Sequence, residues 1–519
     1  MSIAARIMPC LAAPLALSLV AAAAPGIAQP VAASTPADAD ASLPPEIAAA
    51  LPDVDRIFAD YQRESHSPGM VYGIVANGRL VHVKGLGVQD LEQRRPVSAD
   101  SLFRIASMTK SFTALAILQL RDAGKLSLDD LAEKHVPQMR GWTYPADWPR
   151  IRVRDLLTHS AGLVTDNPWG DRQQYLPQAA FTAMLEAGVP LSRPAGTVFE
   201  YSNFGYAVLG RIVANVSGMA YADYMQRHIL RPLGMASSGY DVAAAPLARR
   251  ALGYRWEDEA WRPEPELADG AFNAMGGLQV SANDYARYVA FLLSAWPARA
   301  GEQSGPLPRA SVRMLVQGAG FASLAQRPGA SGGANACRQS VTYGFGMRVA
   351  RDCALGLTLG HSGGYPGYGS FVLLMPDAGI GLFAFSNRTY NSSTPAVWDA
   401  AMALHRAGAI KPRPTPVSPL LAQGYAAAGR IYAAGDVLAA KDALAMNFLL
   451  DRDAAHWAQA LADVKRQAGD CGTDAPIRAT GALSGTFSWT CATGTVKGNV
   501  LLAPTANATI QELEFESAR

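Results

Sequence analysis

The sequence predicts an α/β fold: an antiparallel sheet flanked by helices, together with an all-helical subdomain, and a small α+β domain appended at the C-terminus. Three observations carry that expectation. Short strand patterns surround Asn77-Gly78, a dipeptide favoured in tight hairpins, ahead of an apolar helical run. A long section from Leu126 to about Ala300 is mostly helical by periodicity and is broken by Pro/Gly/Asn/Asp loops. Strand patterns then return at Tyr343 to Val349, Leu355 to Leu359, Ser370 to Met375 and Ile380 to Phe385, so distant segments complete one layered structure.

In chain order, the first residues read as an export signal. Arg6 precedes an apolar run from about Ile7 to Ala24, and the small-residue pattern Gly26-Ile27-Ala28 ends before Gln29, which makes 1–28 a signal peptide and the mature protein periplasmic or secreted. Prolines at 9, 14 and 25 weigh against the alternative of a retained anchor, and no later segment is long enough to span a bilayer. Residues 29–46 form a flexible tether, because a stretch rich in Ala, Pro, Ser and Asp buries too little apolar surface to order itself.

The main domain is expected over residues 47–410. It opens with a helix from Ile47 through Asp60, continues with strands at Val71–Val75 and Leu80–Val83, and then enters an apolar helix that ends near Gly124. Four prolines within Lys411–Pro419 mark residues 411–419 as a stiff linker. Residues 420–519 read as helices to about Gln467 and then as strands from Gly485 to Glu516, with turns near Gly494 and Ala503-Pro504.

Composition narrows the function. Lys+Arg 45 against Asp+Glu 43 gives a formal charge of +2 with no basic run, so nucleic acid is not the expected partner. The eight histidines show no His-x-x-x-His or His-x-x-Glu-His pairing and no phosphate-cradling glycine loop is present, so neither a metal nor another cofactor is expected. Once Cys10 leaves with the signal, Cys337, Cys353, Cys471 and Cys491 remain. Chain order suggests the bridges 337–353 and 471–491, although three connectivities are open.

The chemistry is concentrated in Ser107-Met-Thr-Lys110. Residues three apart on a helix share a face, so Lys110 can activate the Ser107 hydroxyl without a histidine. Of eight lysines, Lys110 alone has a serine three residues upstream. Tyr201-Ser202-Asn203 is the only Tyr-x-Asn among eighteen tyrosines. A phenol beside a lysine is expected to have its pKa lowered and so to relay the serine proton, while the Asn203 amide can hold Lys110 or a substrate carbonyl. His361-Ser362-Gly363-Gly364 belongs to a strand edge facing a cleft. There Gly363 and Gly364 admit a substrate backbone, the Gly364 amide joins that of Ser107 as an oxyanion donor, and His361 polarises the site or meets a substrate carboxylate.

These three motifs, in this order, resemble the serine β-lactamase and penicillin-recognising hydrolase superfamily. The resemblance extends over about residues 50–410 through Phe103-Arg-Ile-Ala-Ser-Met-Thr-Lys110, Leu156-Leu-Thr-His-Ser-Ala-Gly-Leu163, Phe199-Glu-Tyr-Ser-Asn-Phe-Gly-Tyr206, Met275-Gly-Gly-Leu278 and Gly360-His-Ser-Gly-Gly364, which look like the class C branch. It implies the β-lactamase/transpeptidase-like fold and an acyl-enzyme on Ser107. Lys110 and Tyr201 would be the general-base pair, Asn203 the amide and His361 the third-motif base, with no metal or cofactor. His159 would shape the loop over the helical subdomain.

The third motif opens with histidine where class C β-lactamases carry lysine to hold a carboxylate, and an imidazole near its ordinary pKa of ~6.5 is mostly uncharged at neutral pH. The pattern is most similar to D-alanyl-D-alanine carboxypeptidases, D-aminopeptidases and related esterases. The expected substrates are therefore small peptides, amides or esters, with β-lactams as further candidates. A carboxylesterase, a weak β-lactamase and a catalytically silent binding protein on the same fold are the rival readings.

Overall fold

The computed structural model describes residues 43–317, 320–327 and 337–518. The expected signal peptide, Cys10 and most of the tether lie outside the described residues. Helix α1 (Pro45–Glu64) starts two residues ahead of the expected start of the main domain, because Pro45 occupies the first helical position, where its missing N–H costs nothing. Its buried face, Ile47, Ala50, Val54 and Phe58, follows the helical period, and Phe58 stacks on Tyr72 with ring centroids 3.9 Å apart.

The main sheet has eight strands: β1 (Gly69–Ala76), β2 (Arg79–Gly87), β3 (Gly320–Gln326), β4 (Arg338–Tyr343), β5 (Arg348–Asp352), β6 (Gly356–Tyr365), β7 (Tyr368–Met375) and β8 (Ile380–Ser386). Their order is β2-β1-β8-β7-β6-β5-β4-β3 and every pairing is antiparallel. Strand β1 pairs with β8 over the register Gly73↔Phe383, which joins the N-terminal hairpin to strands some three hundred residues later in one layer. Strands β1, β7 and β8 are buried along their whole lengths, as a sheet covered on both faces requires.

Helix α2 (Thr109–Asp122) is buried from Thr109 through Leu118, which explains its lack of a polar stripe. Helices α3 (Asn203–Ser217) and α4 (Ala282–Leu293) belong to the section between β2 and β3, and one apolar core runs through both this section and the sheet. That section is less uniformly helical than its periodicity suggests. Its helices are separated by long loops, and a two-stranded ribbon pairs Tyr254–Glu257 with Ala260–Pro263.

Two further differences concern the late strands. The pattern expected as one strand over Tyr343–Val349 is two strands joined by a turn, with Gly344 N–H donating to the Met347 carbonyl and Gly346 at φ +75°. The turn is forced by close packing, since a Cβ on Gly346 would lie 2.7 Å from the Lys110 carbonyl oxygen. Strand β3, with the exposed Phe321 and Leu324, had no recognisable pattern.

The C-terminal region carries helices α5 (Pro419–Ala434) and α6 (Ala454–Ala468) and a four-stranded antiparallel sheet of Arg478–Ala479, Ser484–Thr490, Thr495–Leu502 and Ile510–Ala518. It buries its own apolar cluster around Trp489, Tyr432 and Val496. Disulfides join Cys337 to Cys353 and Cys471 to Cys491, the two local bridges. No helix among the described residues is long and apolar enough to cross a membrane.

Candidate active site

Ser107 lies in a 3-10 turn, Ala106–Met108, immediately ahead of α2 rather than inside it. Ala106 adopts φ +49°, which turns the serine out of the preceding strand and into the first turn of the helix. The expected pairing across three residues is present: Lys110 Nζ is 3.0 Å from Ser107 Oγ. The same nitrogen donates to Asn203 Oδ1 at 2.7 Å and to the Met275 carbonyl at 2.8 Å. Met275 opens the Met-Gly-Gly-Leu segment singled out in the sequence, so that motif supplies an anchor for the lysine.

Lys110 is fully buried, and desolvation pushes its ammonium down to about 7 against the opposing pull of Asp171 and Asp166. A neutral amine fits the contacts well. In that form its two N–H groups go to Asn203 Oδ1 and Met275 O, which leaves its lone pair for the serine hydroxyl; as an ammonium it donates to all three.

Asn203 is held from several sides. Its backbone N–H and that of Phe204 donate to the two Asp166 carboxylate oxygens at 2.7 Å each, which caps α3. Its side-chain amide donates to Asp171 Oδ1 at 3.2 Å and to Asn167. Tyr201 stands next to the pair with Lys110 Nζ 4.9 Å from its ring centroid. The lysine does not lower its phenol, however. Desolvation raises it, and the hydrogen bond with Ser107 only partly offsets that rise. The expected charge effect is absent because burial lowers Lys110 to about 7, so the lysine is uncharged at the higher pH where the phenol would ionise.

His159 packs its ring 4.2 Å from that of Tyr201 and accepts the Ser202 N–H on Nδ1 at 3.1 Å. Burial holds its imidazole well below the ordinary range, and the charge of Lys110 acts in the same direction. His159 thus bears directly on the tyrosine as well as shaping its loop.

The His361-Ser-Gly-Gly segment lies in β6, and the cleft edge expected there is present. Strand β5 pairs with β6 only as far as Arg348↔Gly360, while β7 pairs through Tyr365 on the other side, so one edge from His361 to Gly364 has no strand partner. Gly363 is required by proximity: a Cβ there would lie 2.3 Å from the Ile105 carbonyl oxygen. The role expected of His361 changes. Its Nδ1 faces the Ser362 carbonyl at 2.7 Å and must carry the proton, so Nε2 accepts from the Tyr343 hydroxyl at 2.8 Å. Burial, aided by the Lys110 charge, drives its pKa to about 3. With both nitrogens engaged and the ring neutral, His361 supports the site and is not positioned as a cationic carboxylate clamp or a free base.

Ser107, Tyr201, His361 and Gly364 line one cavity of about 460 Å³, and Lys110 and Asn203 lie behind the serine. Two charged lining residues escaped the sequence reading. Arg348, at the start of β5, is exposed to the cavity, has no carboxylate partner among the described residues and only approaches the Phe199 ring, 5.8 Å from its centroid. Asp171 is buried and lines the same cavity, where the Tyr390 hydroxyl donates to its Oδ2 at 3.2 Å. No spacing rule could have found either, because each is a lone residue placed by distant pairing. A larger groove of about 1040 Å³, bordered by Arg79, Asp100, Arg249 and Asn283, contains none of the motif residues.

A family model described as Beta-lactamase matches residues 54–407, more than half of the chain. The protein flp of Staphylococcus aureus (strain MW2) is 28% identical over 343 residues, 64% of this chain and 62% of that protein, so this chain spans less than two thirds of the length of that curated relative. The uncharacterized protein MT1414 of Mycobacterium tuberculosis is 33% identical over 261 residues, 44% of this chain and 64% of that protein. Among solved structures, an octameric penicillin-binding protein homologue from Pyrococcus abyssi superimposes with a TM-score of 0.58 at 20% identity, covering 90% of this chain and 98% of that one. The D-alanine carboxypeptidase AmpC from Burkholderia cenocepacia gives 0.55 at 21% identity, covering 69% and 98%. At these identities the solved structures show a shared fold. The family match over the whole sheet-and-helix region shows more: the chain belongs to the beta-lactamase family.

Proposed function

We propose that this protein is an exported hydrolase that cleaves small peptides or amides containing D-amino acids, of the DD-carboxypeptidase or D-aminopeptidase type, through an acyl-enzyme on Ser107. The observation that carries this reading is the 3.0 Å approach of Lys110 Nζ to Ser107 Oγ, with the other two lysine contacts fixed by Asn203 and Met275.

In the acylation step the neutral Lys110 amine takes the Ser107 proton as Oγ bonds to the substrate carbonyl carbon. The carbonyl oxygen becomes an oxyanion, received by the backbone N–H groups of Ser107 and Gly364. Tyr201, kept protonated by its surroundings, gives its proton to the departing nitrogen as the C–N bond breaks, and regains one from the Lys110 ammonium. Water then attacks the ester carbon and yields its proton to the same pair. The ester C–O bond breaks, Ser107 recovers its hydrogen, and the products are an acid and an amine.

Arg348 supports a substrate with a carboxylate on the leaving-group side, since a guanidinium without a carboxylate partner can receive one in the geometry of the cavity wall. Two disulfides support export. The mature protein should release D-alanine from a D-alanyl-D-alanine peptide, and Ser107→Ala should abolish release. Retained activity in Ser107→Ala would overturn the mechanism, and turnover of p-nitrophenyl butyrate alone would favour a carboxylesterase.

A further inference from the structure

The geometry points to Asp171 as a cation subsite that takes the free ammonium of the substrate's acyl portion, which makes the preferred substrates peptides or amides with an unblocked amine. This inference rests on the acyl-enzyme reading above and names the substrate class of the same site.

Arg348 is opposite Gly360, Gly363 backs onto Ile105 and Ala106 beside the nucleophile, and Gly364 faces Tyr390, whose ring would lie 2.8 Å from a Cβ built there. Gly360 and Gly364 are about 13 Å apart along an extended strand at ~3.3 Å per residue. The Tyr390 hydroxyl in turn donates to Asp171. A guanidinium and a carboxylate thus occupy opposite ends of the strand segment that passes Ser107, and both line the cavity.

Asp171 lacks a cationic partner among the described residues. Its residue is 4% exposed, yet its only hydrogen bonds among the described residues are two long ones, 3.2 Å each, from the neutral donors Asn203 Nδ2 and Tyr390 OH. No lysine or arginine among the described residues is within ion-pair distance of it, and Lys110 is separated from it by the Asn203 amide. A buried carboxylate without a cation is costly, and an incoming ammonium removes that cost. Desolvation raises the Asp171 carboxyl, and the charge of Lys110 beyond the Asn203 amide only partly offsets that rise.

Recognition at this end also fits the chemistry of the step. The amide of Asn203 joins Asp171 to Lys110, so the group bound there lies on the lysine side of the serine.

The test measures protection of Ser107 in the full mature protein from labelling by a fluorophosphonate, using D-alaninamide and N-acetyl-D-alaninamide as competitors. D-alaninamide should protect at a concentration at least about tenfold lower than its acetylated form, the scale expected for a desolvated charge pair. Asp171→Asn should erase that difference, and Asp171→Glu should restore part of it. Equal protection by the two amides in the wild type, protection by neither, or a difference that survives Asp171→Asn would overturn the inference while leaving the acyl-enzyme reading intact. A residue that merely positions Asn203 would slow labelling without changing the ratio between competitors. Failure of the wild type to label at Ser107 would overturn the functional reading and this inference with it.

Discussion

Lys110 Nζ lies 3.0 Å from Ser107 Oγ at the head of α2, in a position where its other two contacts, to Asn203 Oδ1 and the Met275 carbonyl, are both acceptors. An amine with two hydrogens satisfies this arrangement only if its lone pair points at the serine. Replacing the lysine by methionine, which keeps much of the bulk and loses the base, should lower the rate of Ser107 acylation by about 10²- to 10⁴-fold, the usual contribution of a positioned general base. Stopped-flow or quenched labelling with an activated ester measures this directly, and a decrease under about tenfold would assign the proton transfer elsewhere.

The same burial makes a prediction about pH. Acylation should rise with pH through an apparent pKa near 7, where Lys110 loses its proton. An ordinary lysine at ~10.4 would delay that rise by some three pH units. Stability should move in the same direction. Between about 7 and the ordinary lysine value the unfolded chain binds a proton that the folded chain does not, so unfolding free energy increases with pH across that window. Urea midpoints measured from pH 7 to 10 should show the slope in the wild type and lose this contribution in Lys110→Met.

Arg348 should govern substrates by charge. Arg348→Ala is expected to raise KM for a peptide ending in a free carboxylate by about tenfold to a hundredfold, with a smaller change for the corresponding C-terminal amide, because only the first forms an ion pair in the cleft. Equal losses on both substrates would remove the arginine from carboxylate recognition.

Gly363 and Gly364 should respond differently to alanine. At Gly363 the new Cβ meets the Ile105 carbonyl oxygen at 2.3 Å and the Ser370 hydroxyl at 2.1 Å, so backbone must shift. A loss of about 1–3 kcal/mol of stability is expected, the range for overpacked sites. At Gly364 the obstacle is the ring of Tyr390, a partly exposed side chain, so folding should tolerate the change better while the cleft is altered on the Asp171 side. Thermal melts of the two variants check the order.

Ser107 with Lys110, and Tyr201 with Asn203, were legible in the sequence because each pair lies within one turn or one loop, where spacing fixes geometry. The N-terminal hairpin and the late strands were legible from alternation and turn residues for the same reason. The join at Gly344–Met347 was missed because its cause, the approach of Gly346 to the Lys110 carbonyl, comes from a distant helix. Arg348 and Asp171 carry no local pattern. One is set by its register with Gly360 and the other by a hydrogen bond from Tyr390, 219 residues away. The expectation of a lowered Tyr201 phenol failed because it counted the charge on Lys110 and not the burial that removes it. His361 was likewise read without Tyr343, the partner that occupies its second nitrogen.

The most direct test of the central claim is intact mass and peptide mapping after treatment of the mature protein with a fluorophosphonate ester, run beside Lys110→Met. Ser107 activated by Lys110 predicts one adduct per chain, mapped to the peptide containing Ser107 and strongly slowed in the variant. An adduct on another residue, or equal labelling of Ser107 without Lys110, would contradict it.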